Sequence, residues 1–194
     1  MKSVLALLLL TSVCKAAPIS ISANGSAEIK ISNGEAEVSL PAEAKAALKT
    51  WNPEFVVFNV KDYSKSVLDL FKDIDPKAVP VGFIADLDAN GEKDVVLLGA
   101  DLRHQYAVAL LKKNKQWTPV KVYSWTLTDI RSTSLPSASD PKQKEIGIPI
   151  YVLPAQGEHA KKLANKTGIQ VETYLGAAEV FEIKDGKAVK FVVK

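Results

Sequence analysis

The sequence predicts an α+β fold, a single domain of predominantly antiparallel β-sheet with two or three short helices. Two dipeptides typical of tight hairpin turns stand between strand-like segments, at 33–34 and at 185–186. The centre of the chain contains nearly continuous apolar runs, which are typical of strands covered on both faces. A chain of 194 residues can bury a sizeable core, and no repeat recurs, which excludes a complete propeller or solenoid within it.

The first turn signal, Asn33-Gly34, predicts a two-residue hairpin loop. A loop of that length pairs Ile31 with Ala36 and Ile29 with Val38. The apolar side chains then share one face of the hairpin and the charged side chains share the other, as a half-buried sheet requires. The residues around this turn therefore predict both the strands and their register.

The second turn signal, Asp185-Gly186, predicts another hairpin later in the chain. A two-residue loop would place Lys190 opposite Phe181, whereas a three-residue loop places Phe191 there. Both loop lengths occur in hairpins, and a cross-strand aromatic pair stabilises a sheet. We therefore expect the three-residue loop.

The remaining segments alternate between helical and strand-like patterns. We expect helices over 42–50, from 62–65 to Asp75-Pro76, and over 158–165, and strands over 55–60, 81–85, 95–98, 106–111, 120–123, 148–153 and 169–174. Asp62 is the expected N-cap of the second helix. The segment over 132–144 is rich in Ser, Pro, Asp and Lys without periodicity, which predicts an exposed, mobile loop.

The first sixteen residues have the layout of a secretory signal peptide: a lysine at position 2, an apolar run over 4–10, and small residues ending at Ala16. The apolar run is too short to span a bilayer as a helix. We expect cleavage after Ala16, which leaves 17–194 as the domain in the periplasm or outside the cell. A lipoprotein acylated at Cys14 is the alternative, but Val13 stands where such a site favours a small residue.

Cysteine usage and charge exclude several classes of function. Cys14 is the only cysteine, so the mature chain would have no disulfide, thiolate metal site or cysteine nucleophile. The formal net charge is +3, and two of the lysines lie in the predicted leader. Without an arginine cluster and with a nearly balanced charge, we expect no nucleic-acid partner, and no second apolar stretch is long enough to span a membrane. The expected partner is an unidentified protein or surface ligand, and the oligomeric state is not predicted.

Oxygen-bearing groups recur through the segment between the two central apolar runs. They occupy positions 1, 3, 5, 7 (as a backbone carbonyl) and 9 around a glycine at position 6: Asp86, Asp88, Asn90, Glu92, Asp94 and Gly91. Calcium requires six to eight oxygen ligands, and a divalent ion removes the repulsion between clustered carboxylates. A solvated hairpin without an ion is the alternative, because turns favour Asp, Asn and Gly for their own geometry.

The loop is not an EF-hand, since its twelfth position is Leu97 and strands flank it instead of helices. Residues 83–100, FIADLDANGEKDVVLLGA, resemble a repeat of the FG-GAP and VCBS type, as a single copy within 81–101. Such repeats form the calcium-bearing blades of integrin-α propellers and occur in many exported bacterial proteins. The resemblance implies five calcium ligands: Asp86, Asp88, Asn90, the carbonyl of Glu92, and Asp94. Asn90 stands where the pattern commonly has Asp, and Asp101 where it often has Pro.

These observations predict a non-enzymatic, exported calcium-binding domain with a structural or recognition role. An exported hydrolase is one alternative, although the sequence has no G-x-S-x-G or H-E-x-x-H motif. It would require a cleft that gathers His104 or His159 with a serine or a carboxylate. A carbohydrate or surface-adhesion module is the other alternative, and it would require two of Trp51, Trp117 and Trp125 exposed on one face.

Overall fold

The computed structural model describes residues 17–75, 77–126, 148–163 and 165–192, together with the backbone of two short strands at 134–136 and 144–146. The predicted signal peptide, Cys14 included, lies outside the described residues, as does most of the predicted loop over 132–144. Within the described part of the chain, no helix combines the length and the apolar character needed to cross a membrane.

The structure contains three α-helices and fourteen strands in the described ranges. The helices are α1 (Ala42–Trp51), α2 (Lys65–Ile74) and α3 (Gly157–Lys162). The strands are β1 (Ile19–Ile21), β2 (Glu28–Ser32), β3 (Glu35–Leu40), β4 (Val56–Val57), β5 (Gly82–Ala85), β6 (Asp94–Ala100), β7 (His104–Lys113), β8 (Gln116–Thr126), β9 (Ser134–Pro136), β10 (Lys144–Ile146), β11 (Ile150–Pro154), β12 (Ile169–Thr173), β13 (Ala178–Lys184) and β14 (Lys187–Phe191).

The strands form four sheets, and nearly all their pairings are antiparallel. The central sheet has the order β4-β6-β7-β8, with β5 also paired to β6. A second sheet has the order β11-β12-β13-β14, and a third has the order β1-β3-β2 with β1 parallel to β3. β9 and β10 pair as a small ladder; β9 lies inside the predicted irregular loop, and β10 begins at the last residue of that loop. The predicted sheet-rich α+β class with short helices is confirmed, whereas β1 was not predicted.

The centre of the hydrophobic core is β6. Every residue from Asp94 to Ala100 is buried, which confirms that this apolar run is covered on both faces. Gly99 lies where a Cβ atom would collide with the carbonyl oxygen of Val56, so glycine permits the close approach of β4. β4 is shorter than the strand predicted over 55–60, because the chain turns into a 3₁₀ helix at Val60–Asp62.

The predicted N-cap of the second helix is wrong. Ser64 caps α2, and its hydroxyl accepts a hydrogen bond from the backbone N–H of Val67 at 3.3 Å. Asp62 instead belongs to the preceding 3₁₀ turn, where its carboxylate accepts from the backbone N–H of Asn59 at 3.3 Å. The Asn59 side chain accepts in return from the backbone N–H of Lys61. A separate 3₁₀ turn therefore precedes α2, and Asp62, the predicted N-cap, belongs to that turn.

The two hairpins differ in how well their register was predicted. The register around Asn33-Gly34 is the predicted one. Around Asp185-Gly186 the predicted three-residue loop is wrong, because the loop has two residues and Lys190 lies opposite Phe181. Both loop residues have positive φ, 50° and 72°, and such turns match the twist of paired strands. Phe191 packs instead on a small cluster on the other face of the sheet, with Val180 as its cross-strand neighbour.

Candidate metal centre

The predicted metal loop joins two neighbouring antiparallel strands. β5 ends at Ala85 and β6 begins at Asp94, and these residues face each other across the ladder. Between them the chain curls through two residues in the left-handed region, Ala89 at φ 60° and Gly91 at φ 83°. Glycine adopts this conformation freely, whereas a Cβ atom makes it unfavourable by about 1–2 kcal/mol. The loop therefore holds a tightly curled backbone at the edge of the core.

Three of the five predicted ligands come together in this loop. Asp86, Asp88 and Asp94 each offer a carboxylate oxygen, and these oxygens lie within 4.8 Å of one another. Backbone hydrogen bonds hold the group: Asp86 accepts from the N–H of Asn90 at 3.1 Å and from that of Gly91 at 2.8 Å. Asp88 also accepts from the N–H of Asn90, at 3.3 Å. The curled backbone thus positions the carboxylates without a neutralising side chain.

Asp94 is the most constrained member of the group. Its side chain is fully buried, and its two oxygens accept from the backbone N–H groups of Leu87 at 2.8 Å and Lys112 at 2.7 Å. Burial raises the pKa of Asp94 to about 6, the carboxylates of Asp88 and Asp86 add to the rise, and the two hydrogen bonds oppose it. Among the described residues, no lysine, arginine or histidine forms an ion pair with these three carboxylates.

The side chains of the other two predicted ligands point to a neighbouring hairpin. The Asn90 side-chain oxygen accepts from the N–H of Glu92 at 2.6 Å, and its Nδ2 donates to the carbonyl of Lys112 at 2.7 Å. The Glu92 carboxylate accepts from the N–H of Asn114 at 2.9 Å and lies 3.3 Å from the ammonium of Lys112. These contacts tie the loop to the turn between β7 and β8. The amide of Asn90 can donate to the carbonyl of Lys112, which an ionised carboxylate at this position could not do.

A second acidic turn lies at the opposite end of β6. The Asp101 carboxylate accepts from the Asn52 side chain and the Tyr106 hydroxyl, both at 2.9 Å. It also accepts from the backbone N–H groups of Arg103 and His104, both at 2.7 Å. Burial acts to raise the pKa of Asp101, but these four hydrogen bonds outweigh it and lower the pKa to about 2. The sequence analysis did not identify Asp101 as a turn-forming residue. Aspartate nevertheless favours turns, because its carboxylate accepts hydrogen bonds from the backbone two residues further on.

Comparison with known proteins adds no relative. Neither a protein-family model, nor a curated protein, nor a solved structure matches the chain. The resemblance of residues 81–101 to an FG-GAP or VCBS repeat therefore stays a prediction that rests on the residues of the loop.

The two histidines have different aromatic neighbours, and neither belongs to the carboxylate group. His104 begins β7, half-buried, with its ring 5.9 Å from that of Tyr106. His159 lies on α3 with its ring 6.3 Å from that of Phe191. Neither histidine lines any of three surface cavities found in the described structure. The cleft that an enzyme with a catalytic histidine would require is therefore not among these three.

The three tryptophans are all half-buried and lie in different surroundings. Trp51 packs edge-on against Phe55 and Tyr106 beside α1, with ring centres 5.8 and 5.4 Å apart. Trp125 lies 4.5 Å from the ring of Tyr123, and Trp117 neighbours Lys112. These half-buried positions do not form the platform of two exposed tryptophans that a carbohydrate or surface-adhesion module would require.

Proposed function

We propose that this chain is an exported, non-enzymatic calcium-binding protein, in which the ion stabilises the loop between β5 and β6. The observation that carries the proposal is the group of three carboxylate oxygens within 4.8 Å of one another. Calcium–oxygen distances are about 2.3–2.6 Å, so oxygens that share one ion lie up to about 5 Å apart. The three carboxylates fit that limit.

The chemistry of the group favours calcium over other ions. All three donors are carboxylates, and hard oxygen donors select calcium or magnesium over zinc and copper. The loop curls around its side chains, as calcium sites do, whereas magnesium requires strict octahedral geometry and retains several waters. A bound ion would also stabilise the ionised form of the Asp94 carboxylate, whose negative charge is unfavourable because the group is buried and lies near two other acids.

The position of the loop supports a structural role for the ion. The loop leads into β6, the most buried strand, and side-chain contacts of Asn90 and Glu92 tie it to the β7–β8 turn. An ion that fixes the loop would therefore fix the end of the central sheet. Exported proteins with such sites bind calcium with dissociation constants of about 10⁻⁴ to 10⁻³ M, which suits calcium concentrations outside the cytosol. The leader-like residues 1–16 support export, and a mature N-terminus at Ala17 would test it by mass spectrometry.

Thermal unfolding of the purified protein in calcium and in chelator tests the proposal. Binding to the native state alone stabilises by about 2.7 kcal/mol when free calcium is one hundred times the dissociation constant. We expect Asp88→Ala to lose most of this response, because it removes a ligand that makes only one long hydrogen bond. The control Asp73→Ala, on the exposed side of α2, should retain it. An unchanged melting temperature at several millimolar calcium would leave the solvated hairpin as the better explanation.

A further inference from the structure

Two asparagines of the chain lie in the acceptor pattern for N-linked glycosylation. Of the seven asparagines, only Asn24 and Asn165 are followed two positions later by a hydroxyl residue with no proline between. The two tripeptides are Asn-Gly-Ser at 24–26 and Asn-Lys-Thr at 165–167. In secreted proteins this pattern, called a sequon, is modified on surface loops, so the acceptor asparagine has to be exposed in the folded chain.

The first acceptor lies in the turn before β2, with its amide nitrogen unengaged. Asn24 and Ser26 are both exposed, and Gly25 between them has a φ of 71°. The side-chain oxygen of Asn24 accepts from the backbone N–H of Ser26 at 2.9 Å and from the Ser22 hydroxyl at 2.6 Å. Its Nδ2 donates to no residue of the described structure. The turn therefore holds the carboxamide through its oxygen and leaves free the nitrogen that would carry a glycan.

The second acceptor lies in the turn between α3 and β12. Asn165 is exposed, and its side chain forms no hydrogen bond with any residue in the described ranges. Two asparagines outside the sequons differ, because Asn59 is buried and Asn90 donates from its Nδ2 to the carbonyl of Lys112 at 2.7 Å. Both sequons therefore present an accessible amide nitrogen on a turn, as the modification requires.

Both acceptor turns adjoin the metal loop between β5 and β6. Gly25 and Ser26 line a surface cavity of about 330 Å³ together with residues 91–93, near the end of the loop. At the start of the loop, the carbonyl of Asp86 accepts from the backbone N–H of Thr167 at 3.1 Å. Glycans on the two asparagines would therefore stand beside the two ends of the loop.

We propose that Asn24 and Asn165 are N-glycosylation sites, and that the two glycans restrict the access of large partners to the metal loop. In the transfer, the asparagine Nδ2 forms a bond to the anomeric carbon of an oligosaccharide that is carried on a lipid pyrophosphate. The bond from that carbon to the pyrophosphate oxygen breaks, the lipid pyrophosphate leaves with the electron pair, and the amide nitrogen loses one proton. The donor and its transferase belong to a secretory pathway, so the inference rests on the export included in the proposed function.

Glycans at these positions favour a structural role for the ion over a role in recognition. An N-linked oligosaccharide is bulky and hydrated, so it hinders a protein that approaches the surface beside it. A calcium ion is small enough to reach the carboxylates between the two glycans. The loop would then serve the stability of the fold, because a large partner could not reach it.

Secretion of the full chain from cultured animal cells, with peptide mass spectrometry before and after treatment with peptide N-glycosidase, tests the two sites. We expect a glycan on both asparagines, and its release leaves aspartate at each occupied position. Asn24→Gln and Asn165→Gln should each lose one of the two glycans. Ser26→Ala and Thr167→Ala should lose the same glycans although they keep the asparagines, and Thr167→Ser should retain the second glycan. The control Asn33→Gln alters an exposed Asn-Gly turn outside a sequon and should leave both glycans in place.

Limited proteolysis tests the restricted access. Lys93 is exposed on the loop, and a lysine-specific protease should cleave after it in chelator more slowly in the glycosylated protein than in the double variant Asn24→Gln/Asn165→Gln. Equal rates would overturn the shielding of the loop. The calcium-dependent shift of the melting temperature should be the same in both proteins, because the ion is small enough to pass between the glycans.

The remaining outcomes separate the inference from the proposed function. A secreted chain without a glycan at either asparagine would overturn the inference and leave export standing. A chain retained in the cytosol with residues 1–16 attached would overturn the export, and a host leader placed before the full chain would then decide whether the two asparagines are modified. A melting temperature insensitive to calcium would overturn the calcium-binding role, while glycans at both sequons would still support the modification sites.

Discussion

An aspartate lies at each end of β6, and the pKa values of these two aspartates are shifted in opposite directions. Asp94 at the first residue of the strand has its pKa raised to about 6, whereas Asp101, just after the strand, has its pKa lowered to about 2. Asp94 accepts two backbone hydrogen bonds and lies close to the carboxylates of Asp86 and Asp88. Asp101 accepts four hydrogen bonds, two of them from side chains.

The difference shows how a structural carboxylate is distinguished from a candidate ligand. Protein donors complete the solvation of Asp101, so its charge is stabilised by the fold alone. The donors around Asp94 are too few to offset burial and two like charges, so a cation would complete its surroundings. Acidic residues in turns are common, and the balance between donors and like charges decides which of them a metal would stabilise.

Removing the carboxylate of Asp101 should have the largest effect. We expect Asp101→Ala to lower the free energy of unfolding by about 3 kcal/mol, because hydrogen bonds to a charged group contribute about 1.5–3 kcal/mol each and do not add fully. Urea denaturation in calcium and in chelator should show the same loss. A loss that depended on calcium would contradict the assignment of Asp101 to the fold alone. Asp73→Ala, as the control, should change the stability by less than about 0.5 kcal/mol.

The pH dependence of the two residues should have opposite signs. Asp101, with its pKa below the usual 3.8, contributes stability that is present above pH 3.8 and is lost as the pH falls towards 2. Asp94, with a raised pKa, contributes stability that is present below pH 3.8 and is lost as the pH rises through 6 in chelator.

Carboxyl ¹³C NMR titration measures the two midpoints directly. In chelator we expect midpoints near pH 6 for Asp94 and near pH 2 for Asp101. Calcium should lower the first midpoint, because the ion competes with the proton, and should leave the second unchanged. Two midpoints close to 3.8 would remove the contrast between the ends of β6.

Replacing Asp88 by asparagine should change stability with opposite signs in the two buffers. Asp88→Asn keeps an oxygen to accept from Asn90 but removes one of three clustered charges. In chelator the variant should gain about 1 kcal/mol, since two charges about 4 Å apart repel by about 1–4 kcal/mol in a solvated environment. In saturating calcium it should lose about 1.4 kcal/mol of ion stabilisation, which corresponds to tenfold weaker binding, so the net change there is a loss of about 0.4 kcal/mol. A loss in both buffers would indicate that Asp88 supports the fold directly.

Local sequence patterns predicted the features that local physics determines. The alternating residues around Asn33-Gly34 predicted that hairpin and its register, and the continuous apolar run of β6 predicted a strand covered on both faces. The loop spacing predicted that Asp86, Asp88 and Asp94 would converge, and the structure brings these three together.

Features that depend on distant segments were not predictable in this way. The amide of Asn90 donates to Lys112, twenty-two positions further along the chain, and no local pattern encodes that contact. The register of the second hairpin was missed because the turn geometry outweighed an aromatic pair, and Phe191 found apolar neighbours on the other face of the sheet. Asp101 was noticed only as a departure from a motif, since its partner Asn52 comes from the end of α1.

The smallest expected effect concerns the backbone of the metal loop. Ala89 has a φ of 60°, and Ala89→Gly relieves the unfavourable left-handed conformation while increasing the entropy of the unfolded chain. The two effects partly cancel, so we expect a gain of about 0.5 kcal/mol in chelator and a calcium affinity equal to or above that of the unmodified protein. Urea denaturation and calcium titration check these values. Because Ala89 precedes β6 and Asp101 follows it, the midpoint of Asp101 should not move, and a change there would indicate that the two ends of β6 are coupled.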